Sequence, residues 1–97
     1  IDAVGGGAQS DAWLSILADI WGVPVRRRTI VSEANSLGAA VTGAVGLGLT
    51  DFSAARSLSE VTAEFTPDPH RHSAYAQRHA RFSAAYDALE PWFTEGA

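Results

Sequence analysis

The spacing of apolar residues divides the chain into alternating short strands and helices. Residues 1–4 form an apolar run that predicts a strand, and Gly5-Gly6-Gly7 end it. A helix should then begin at Ser10 or Asp11, whose side-chain oxygens can cap its free amides. Gly22 supplies its C-terminal stop. The helix has one apolar face, because large residues recur at spacings of three and four: Trp13, Leu14, Leu17, Ile20 and Trp21. The opening part of the chain therefore predicts a β-α unit.

A second strand and a helix with an unusual face are predicted next. Residues 23 to about 31 are typical of a strand, after which Ser32 or Ser36 opens a helix. The larger apolar residues of this helix share one stripe: Leu37, Ala40, Val41, Ala44 and Val45. Its other side is almost free of side chains: Gly38, Ala39, Thr42, Gly43 and Gly46. Because a glycine inside a helix costs about 1 kcal/mol relative to alanine, we expect a ligand or another backbone to approach this side closely.

The rest of the chain predicts a short helix, an edge strand and a long helix. Asp51 can open the short helix, and residues 61–65 alternate as an edge strand or extended segment does. Residues 66–69, Thr-Pro-Asp-Pro, form a strong turn. The long helix, over about residues 70–93 with Pro91 disturbing its final turn, has one stripe of large residues: Tyr75, His79, Phe82, Tyr86, Leu89 and Phe93. We therefore expect one α/β domain with two or three short strands and three or four helices.

Composition excludes several kinds of function. The 97 residues carry seven arginines, no lysine and eleven acids, for a net charge of −4, which argues against nucleic acid as the main partner. The absence of cysteine excludes disulfides, thiolate metal sites and a cysteine nucleophile, and it fits a cytoplasmic location. No apolar run approaches the roughly 18 residues of a membrane span. Since the chain has no methionine and opens at Ile1 inside a predicted strand, we interpret it as a piece of a longer protein.

Three clusters of polar residues allow a chemical interpretation, but a structural one is favoured for each. Arg26-Arg27-Arg28 could bind an anion, although solvated charges at a strand end are the simpler expectation. Asp68 with two nearby histidines, His70 and His72, could hold a metal, but the start of a helix explains the group as well. His79, on the apolar stripe of the last helix, is expected to be partly buried rather than catalytic.

Three single residues have similar alternatives. Trp13 is expected to pack in the core, with a position beside a nucleotide cleft as the alternative. Asp19 is expected to be a surface acid, and Glu33 an acid at the start of a helix. We find no Ser-His-Asp arrangement and no pair of carboxylates with a shared task.

The glycine-rich turn from Gly5 to Ser10 is the strongest local signal of a binding site. Its small residues allow a ligand to approach the backbone, and the following helix N-terminus favours negative charge. The turn is not a P-loop, because it lacks the Gly-Lys-Ser/Thr ending, and it departs from GxGxxG, because Ser10 takes the third glycine's place. Local physics alone leaves open a nucleotide site or a plain tight turn.

Three motifs in order resemble the C-terminal domain of the FGGY carbohydrate kinases. The first is the glycine turn of residues 4–10, followed by Trp13 and by residues 17–25. The second is Glu33 with Leu37-Gly38-Ala39-Ala40, which resembles the family's "E…ALGAA" segment. The third resembles the family's "PD…Y…Y…L.P" tail and comprises Phe65-Thr66-Pro67-Asp68-Pro69, Tyr75, Phe82, Tyr86 and Leu89-Glu90-Pro91. Within the family, the glycine turn is most similar to that of the xylulokinase branch.

The resemblance implies a fold and an activity. The fold would be part of an actin-like, ribonuclease H-like ATPase domain, with residues 1–97 as the C-terminal portion of the nucleotide-binding domain. The whole enzyme would transfer the γ-phosphoryl group of ATP to a sugar hydroxyl with Mg²⁺ present, D-xylulose being the expected substrate. A homodimer is a possible assembly.

The resemblance also implies which residues bind ATP. Gly5 would form the turn, Gly6, Gly7 and Ala8 would line the nucleotide, and Ser10 lies where several relatives place an asparagine that contacts adenine. The helix with Leu37-Gly38-Ala39-Ala40 would pack nearby. The family's catalytic aspartate lies upstream of this segment, so residues 1–97 would contain no catalytic or metal-binding residue and would be inactive alone. The alternative function is a non-catalytic interaction or oligomerisation module that packs through its glycine- and alanine-rich helix.

Overall fold

The computed structural model describes residues 1–96, which form three short strands and four helices around a small sheet. A 3₁₀ turn at Gly6–Gln9 connects the first strand to the first helix. The strands are β1 (Asp2–Ala3), β2 (Val25–Arg28) and β3 (Val61–Phe65), and the helices are α1 (Asp11–Trp21), α2 (Ala34–Gly46), α3 (Ala54–Ser57) and α4 (Pro69–Glu95). The α/β architecture and the order of elements predicted from the sequence are confirmed.

The sheet has the order β1-β2-β3 and mixes both kinds of strand pairing. β1 runs parallel to β2, with Ala3 opposite Arg27, and β3 runs antiparallel to β2, with Phe65 opposite Val25. The predicted edge strand at residues 61–65 is therefore confirmed. β1 and β2 are shorter than predicted: β1 pairs with β2 only at Asp2 and Ala3, and the ladder between β2 and β3 has a bulge between Arg27 and Arg28.

One face of the sheet packs against α1 and forms the core. Side chains alternate between the two faces of a strand, so Val25 points to this face and is fully buried. Its buried neighbours come from the turn and from α1: Ala8, Leu14 and Ala18. α1 begins where predicted, because the Ser10 hydroxyl accepts a hydrogen bond from the Trp13 amide at 3.2 Å. It ends at Gly22, which adopts a left-handed conformation with φ +68°.

The opposite face of the sheet carries an ion-pair cluster. Asp2 accepts hydrogen bonds from Nε of Arg26 at 2.9 Å and from Nε of Arg28 at 2.7 Å. Arg28 also donates to the Ser59 carbonyl at 2.7 Å, which ties β2 to the segment after α3. Burial tends to raise the pKa of Asp2, but Arg28 and Arg26 outweigh it and hold that pKa below its ordinary value. One carboxylate therefore binds two guanidinium groups and compensates the charge of one of them.

A buried aspartate joins α4 to α1. Asp19 is only 4% exposed, and its carboxylate accepts from the Asp68 amide at 2.8 Å and from Nε of Arg71 at 2.6 Å. The His72 ring lies 2.9 Å from the Asp19 carbonyl through Nδ1. The expectation that Asp19 is a surface acid is wrong, because the start of α4 lies directly over this position of α1 and covers it.

Replacing Asp19 with asparagine should weaken the fold and change its acid sensitivity. The Asp68 amide, opposed by burial and supported by Arg71, holds the Asp19 pKa below its ordinary value of 3.8. A lowered native pKa stabilises the fold above the unfolded-state pKa, and this stabilisation is lost as the pH falls through the native value. We expect Asp19→Asn to lower the melting temperature at pH 7 by more than about 5 °C. Its stability should also fall less steeply than the parent's below about pH 4.

The matched control for this prediction is Asp87→Asn. Asp87 lies exposed on α4, so the same change of carboxylate to amide removes a charge without touching the junction. Thermal melts followed by circular dichroism between pH 2 and pH 7 compare the two variants. Equal melting temperatures for Asp19→Asn and Asp87→Asn at pH 7 would contradict a stabilising role for the junction.

The distal part of α4 extends away from the rest of the chain. A helix of 27 residues spans about 40 Å, and the chain has a radius of gyration of 18.6 Å, against roughly 12.5 Å for a compact domain of this length. Only the first turns of α4 meet α1, so the predicted stripe is half-buried at Tyr75 and exposed beyond it. The expectation of a partly buried His79 is wrong for the same reason. Pro91 lies inside the helix, which continues to Glu95.

The small-residue side of α2 is open. A Cβ atom added at Gly38, Gly43 or Gly46 would meet nothing within 4 Å, and Ala39 is exposed. The larger stripe is covered more, with Val41 buried and Leu37, Ala44 and Val45 half-buried, although Ala40 is exposed. The expectation that another backbone approaches this side closely is therefore wrong within residues 1–96. Neither Ser32 nor Ser36 caps the helix; Glu33 takes the N-cap position, as expected of an acid at a helix start, although its side chain makes no capping hydrogen bond.

Candidate functional site

The candidate site is built on the turn between β1 and α1, which Gly5 starts. Gly5 has φ +88° and ψ −179°, a conformation that is open almost only to glycine. Its amide donates to the Val31 carbonyl at 3.1 Å, and its carbonyl accepts from the Ala8 amide at 3.1 Å. The chain therefore leaves the sheet in an extended conformation and reverses at once into the 3₁₀ turn.

Gly6 and Gly7 present bare backbone at the surface of this turn. Both are exposed, and a Cβ atom added at Gly6 would meet nothing within 4 Å. Their amides open the turn, where no earlier carbonyl of the same turn can accept from them. A Cβ atom added at Gly7 would lie 3.3 Å from Cδ1 and Nε1 of Trp13, so the half-exposed indole rests against this glycine. Trp13 is therefore not a core residue and borders the turn, and its position beside a nucleotide cleft stays a prediction.

Ala8 and Ser10 have structural tasks in the turn. Ala8 is 2% exposed as a whole residue and packs in the core, so it offers a ligand almost no surface. The Ser10 hydroxyl accepts from the Trp13 amide, which leaves its own hydrogen free to donate to a ligand. The five residues expected to bind ATP therefore lie between Gly5 and Ser10, but only Gly6 and Gly7 combine exposure with bare backbone.

Two further residues hold the turn and were not expected to do so. Arg27 donates from Nη1 to the carboxylate of Asp11 at 2.7 Å and to the carbonyls of Ala8 and Gln9, both at 3.4 Å. Gln9 donates a hydrogen bond from Nε2 to the Ser32 hydroxyl at 3.3 Å. The alternation of side chains along β2, combined with an acid at the start of α1, is the signal that could have found Arg27.

The arginine run is not an anion-binding patch. Arg26 and Arg28 pair with Asp2 on one face of β2, and Arg27 pairs with Asp11 on the other. Because the three guanidinium groups pair with two carboxylates, most of their positive charge is compensated within the fold. The run is also not a solvated strand end, since all three residues lie within β2 and are half-buried.

The predicted start of the last helix explains Asp68 and the histidines beside it. The Asp68 carboxylate accepts a hydrogen bond from the Arg71 amide at 2.9 Å and is the N-cap of α4. This hydrogen bond is the main reason that the pKa of Asp68 lies below its ordinary value. Within residues 1–96, no group of three or more His, Asp or Glu side chains could hold a metal ion. In the same part of the chain, no helix is both long and apolar enough to cross a membrane.

The chain matches one protein family and several larger enzymes. Residues 1–47 match the FGGY family of carbohydrate kinases, C-terminal domain. The chain is 36% identical over 86 residues to the autoinducer-2 kinase of Escherichia coli strain K12, covering 84% of this chain and 16% of that enzyme. It is also 36% identical over 88 residues to the xylulose kinase of Staphylococcus epidermidis, covering 89% of this chain and 18% of the enzyme.

Solved structures agree on the fold. The ligand-bound xylulose kinase from Lactobacillus acidophilus superimposes on 100% of this chain with a TM-score of 0.81 and 22% sequence identity, over 20% of its own length. At this identity the superposition establishes the fold, that of the actin-like ATPase domain expected from the sequence. The chain spans less than a fifth of the length of the curated relatives described above.

Proposed function

We propose that the glycine turn binds the adenosine end of ATP in a longer kinase. The premise is that this chain belongs to the FGGY family of carbohydrate kinases. Residues 1–97 are the C-terminal portion of the nucleotide-binding domain in this proposal. Gly5 shapes the turn, Gly6 and Gly7 line the nucleotide with bare backbone, Ala8 packs beneath the turn, and Ser10 offers a hydroxyl donor. The observation that carries the proposal is the open surface at Gly6, where no side chain or neighbouring atom competes with a ligand.

The segment contributes binding and orientation to the reaction, and the chemistry comes from residues outside it. In the proposed reaction a sugar hydroxyl attacks the γ-phosphorus of ATP, ADP leaves, and the hydroxyl proton passes to a base upstream of this segment. Holding ATP in line with the acceptor is a large part of phosphoryl-transfer catalysis. In this proposal the Mg²⁺ that accompanies ATP would be held by the phosphates and by residues elsewhere in the enzyme.

The exposed apolar surface supports a larger parent domain. Several large side chains in the second half of α4 are at least half-exposed, including Phe82 at 70% and Trp92 at 70%. Exposed apolar patches of this kind usually mark a surface that another part of a protein covers. The cytoplasmic location and the homodimer suggested by the sequence stay predictions.

D-Xylulose is the proposed substrate, supported by the xylulose kinases among the relatives and by the form of the glycine turn. The relatives named as autoinducer-2 kinases make autoinducer-2 the competing substrate. The test is coupled ADP release by the full-length protein with a panel of sugars and polyols that includes both compounds. We expect ATP-dependent turnover with D-xylulose at the highest kcat/KM. Preference for another polyol would overturn the substrate, and no ADP release with any acceptor would overturn the kinase activity.

A further inference from the structure

We propose that Arg27 is a positioning residue for nucleotide binding, which holds the glycine turn in its binding geometry from the strand beneath it. This inference rests on the proposed function, since it assumes that the turn binds ATP. Arg27 does not touch the exposed side of Gly6 and Gly7. It acts through the end of the turn, which it ties to β2 and to the start of α1.

Of the three arginines of β2, only Arg27 lies under the turn. Side chains at successive positions of β2 point to opposite faces, so Arg27 shares the α1 face with Val25, while Arg26 and Arg28 reach Asp2 on the other face. Its side chain is 22% exposed. Its guanidinium carbon lies 5.9 Å from the centre of the Phe65 ring, which supports it from the neighbouring strand.

Its hydrogen bonds span the junction between the turn and α1. Nη1 lies 3.4 Å from the Ala8 carbonyl, 3.4 Å from the Gln9 carbonyl and 2.7 Å from the Asp11 carboxylate. The last carbonyls of a short 3₁₀ turn lack partners within the turn, so Arg27 satisfies groups that are otherwise left to water. One charged donor therefore fixes both the end of the turn and the first residue of α1.

The backbone at Arg27 is held as firmly as its side chain. The Thr62 hydroxyl donates to the Arg27 carbonyl at 3.2 Å, and the residue pairs with Ala3 on β1 and Ala63 on β3. The Arg27 side chain therefore projects from the central strand of the sheet. The buried core is built from apolar side chains at other positions, so removing the guanidinium should leave the sheet and core intact while the turn gains freedom.

The experiment compares Arg27→Gln with Arg27→Lys and with Arg26→Gln in the full-length protein, with ATP and D-xylulose as substrates. Arg26→Gln is the matched control, because it removes the same charge from the same strand on the opposite face. We expect Arg27→Gln to raise the KM for ATP about fivefold to tenfold with kcat and the KM for D-xylulose unchanged. Arg27→Lys should recover part of this loss, since an ammonium can still reach Asp11 but lacks the planar fork of arginine. Arg26→Gln should behave as the parent.

Including Gly6→Val in the same assay separates the possible failures. An unchanged KM for ATP in Arg27→Gln, while Gly6→Val raises it, would overturn the positioning role and leave the nucleotide site standing. Unchanged KM values for ATP in both variants would overturn the site and the positioning role together. A rise in the KM for ATP and in the KM for D-xylulose of Arg27→Gln, together with a lower melting temperature, would also contradict the inference, because it would show a general loss of structure.

Discussion

Gly6→Val in the full-length protein should raise the KM for ATP by about tenfold or more, a loss of roughly 1.4 kcal/mol of binding free energy. The melting temperature and the KM for the sugar should stay at their parent values. A side chain at Gly6 meets nothing within 4 Å in the protein itself. Any loss of ATP affinity therefore reports a collision with the nucleotide rather than a distorted turn. Steady-state kinetics with varied ATP at saturating sugar provide the measurement.

Gly6 is a sharper position for this test than its neighbour Gly7. A Cβ atom at Gly7 would lie 3.3 Å from the Trp13 indole, so Gly7→Val would disturb the turn whether or not ATP binds there. Gly46→Ala on α2 is the matched control, because it also adds a side chain in open space but lies outside the proposed site. If Gly6→Val and Gly46→Ala show the same KM for ATP, the nucleotide does not contact Gly6.

Gly22→Ala should cost about 2–4 kcal/mol of unfolding free energy, for two independent reasons. Gly22 adopts φ +68°, and a side chain in this left-handed conformation costs about 1–2 kcal/mol. The added Cβ atom would also lie 2.6–2.9 Å from three atoms of the His72 ring, closer than real contacts allow. His72 itself is held against α1 by the Asp19 carbonyl, so it cannot move away freely.

Two further variants separate these two causes. Gly48→Ala is the matched control, because Gly48 has φ +71° but nothing within 4 Å of an added Cβ atom. It should lose only the conformational part, about 1–2 kcal/mol. In the background of His72→Ala, Gly22→Ala should likewise lose only that part. Urea unfolding gives all of these values, and equal losses for Gly22→Ala and Gly48→Ala would contradict the close contact with His72.

The sequence predicts the elements of this fold because each one carries its own local signal. The apolar spacing and the Ser10 cap define α1, and Gly22 defines its end. The pairing of strands is a different matter, because no local pattern shows that β3 is antiparallel to β2. The open side of α2 could not be predicted either, since glycine and alanine at helical spacing look the same whether a neighbour covers them or not.

The glycine turn predicted the candidate site, but the charged residues that hold the surrounding elements together were not predicted. Arg27 and Asp19 both carry charges that usually lie in solvent, so charge alone gave no reason to place them at junctions. Each became visible only when the fold brought a distant partner to it, Asp11 for one and Arg71 for the other. Contacts between residues far apart in the chain depend on the packing of whole elements, which a single sequence does not specify.

The central claim is that the turn from Gly5 to Ser10 binds ATP, and hydrogen–deuterium exchange tests it most directly. Exchange of the full-length protein is compared with and without a non-hydrolysable ATP analogue at saturating concentration. Bound nucleotide should slow exchange of the Gly6 and Gly7 amides, which have no partner within their own turn. The α2 amides near Gly46 serve as the internal reference. Slower exchange at Gly6 and Gly7 is the predicted result, and slower exchange elsewhere with no change at this turn would contradict the site.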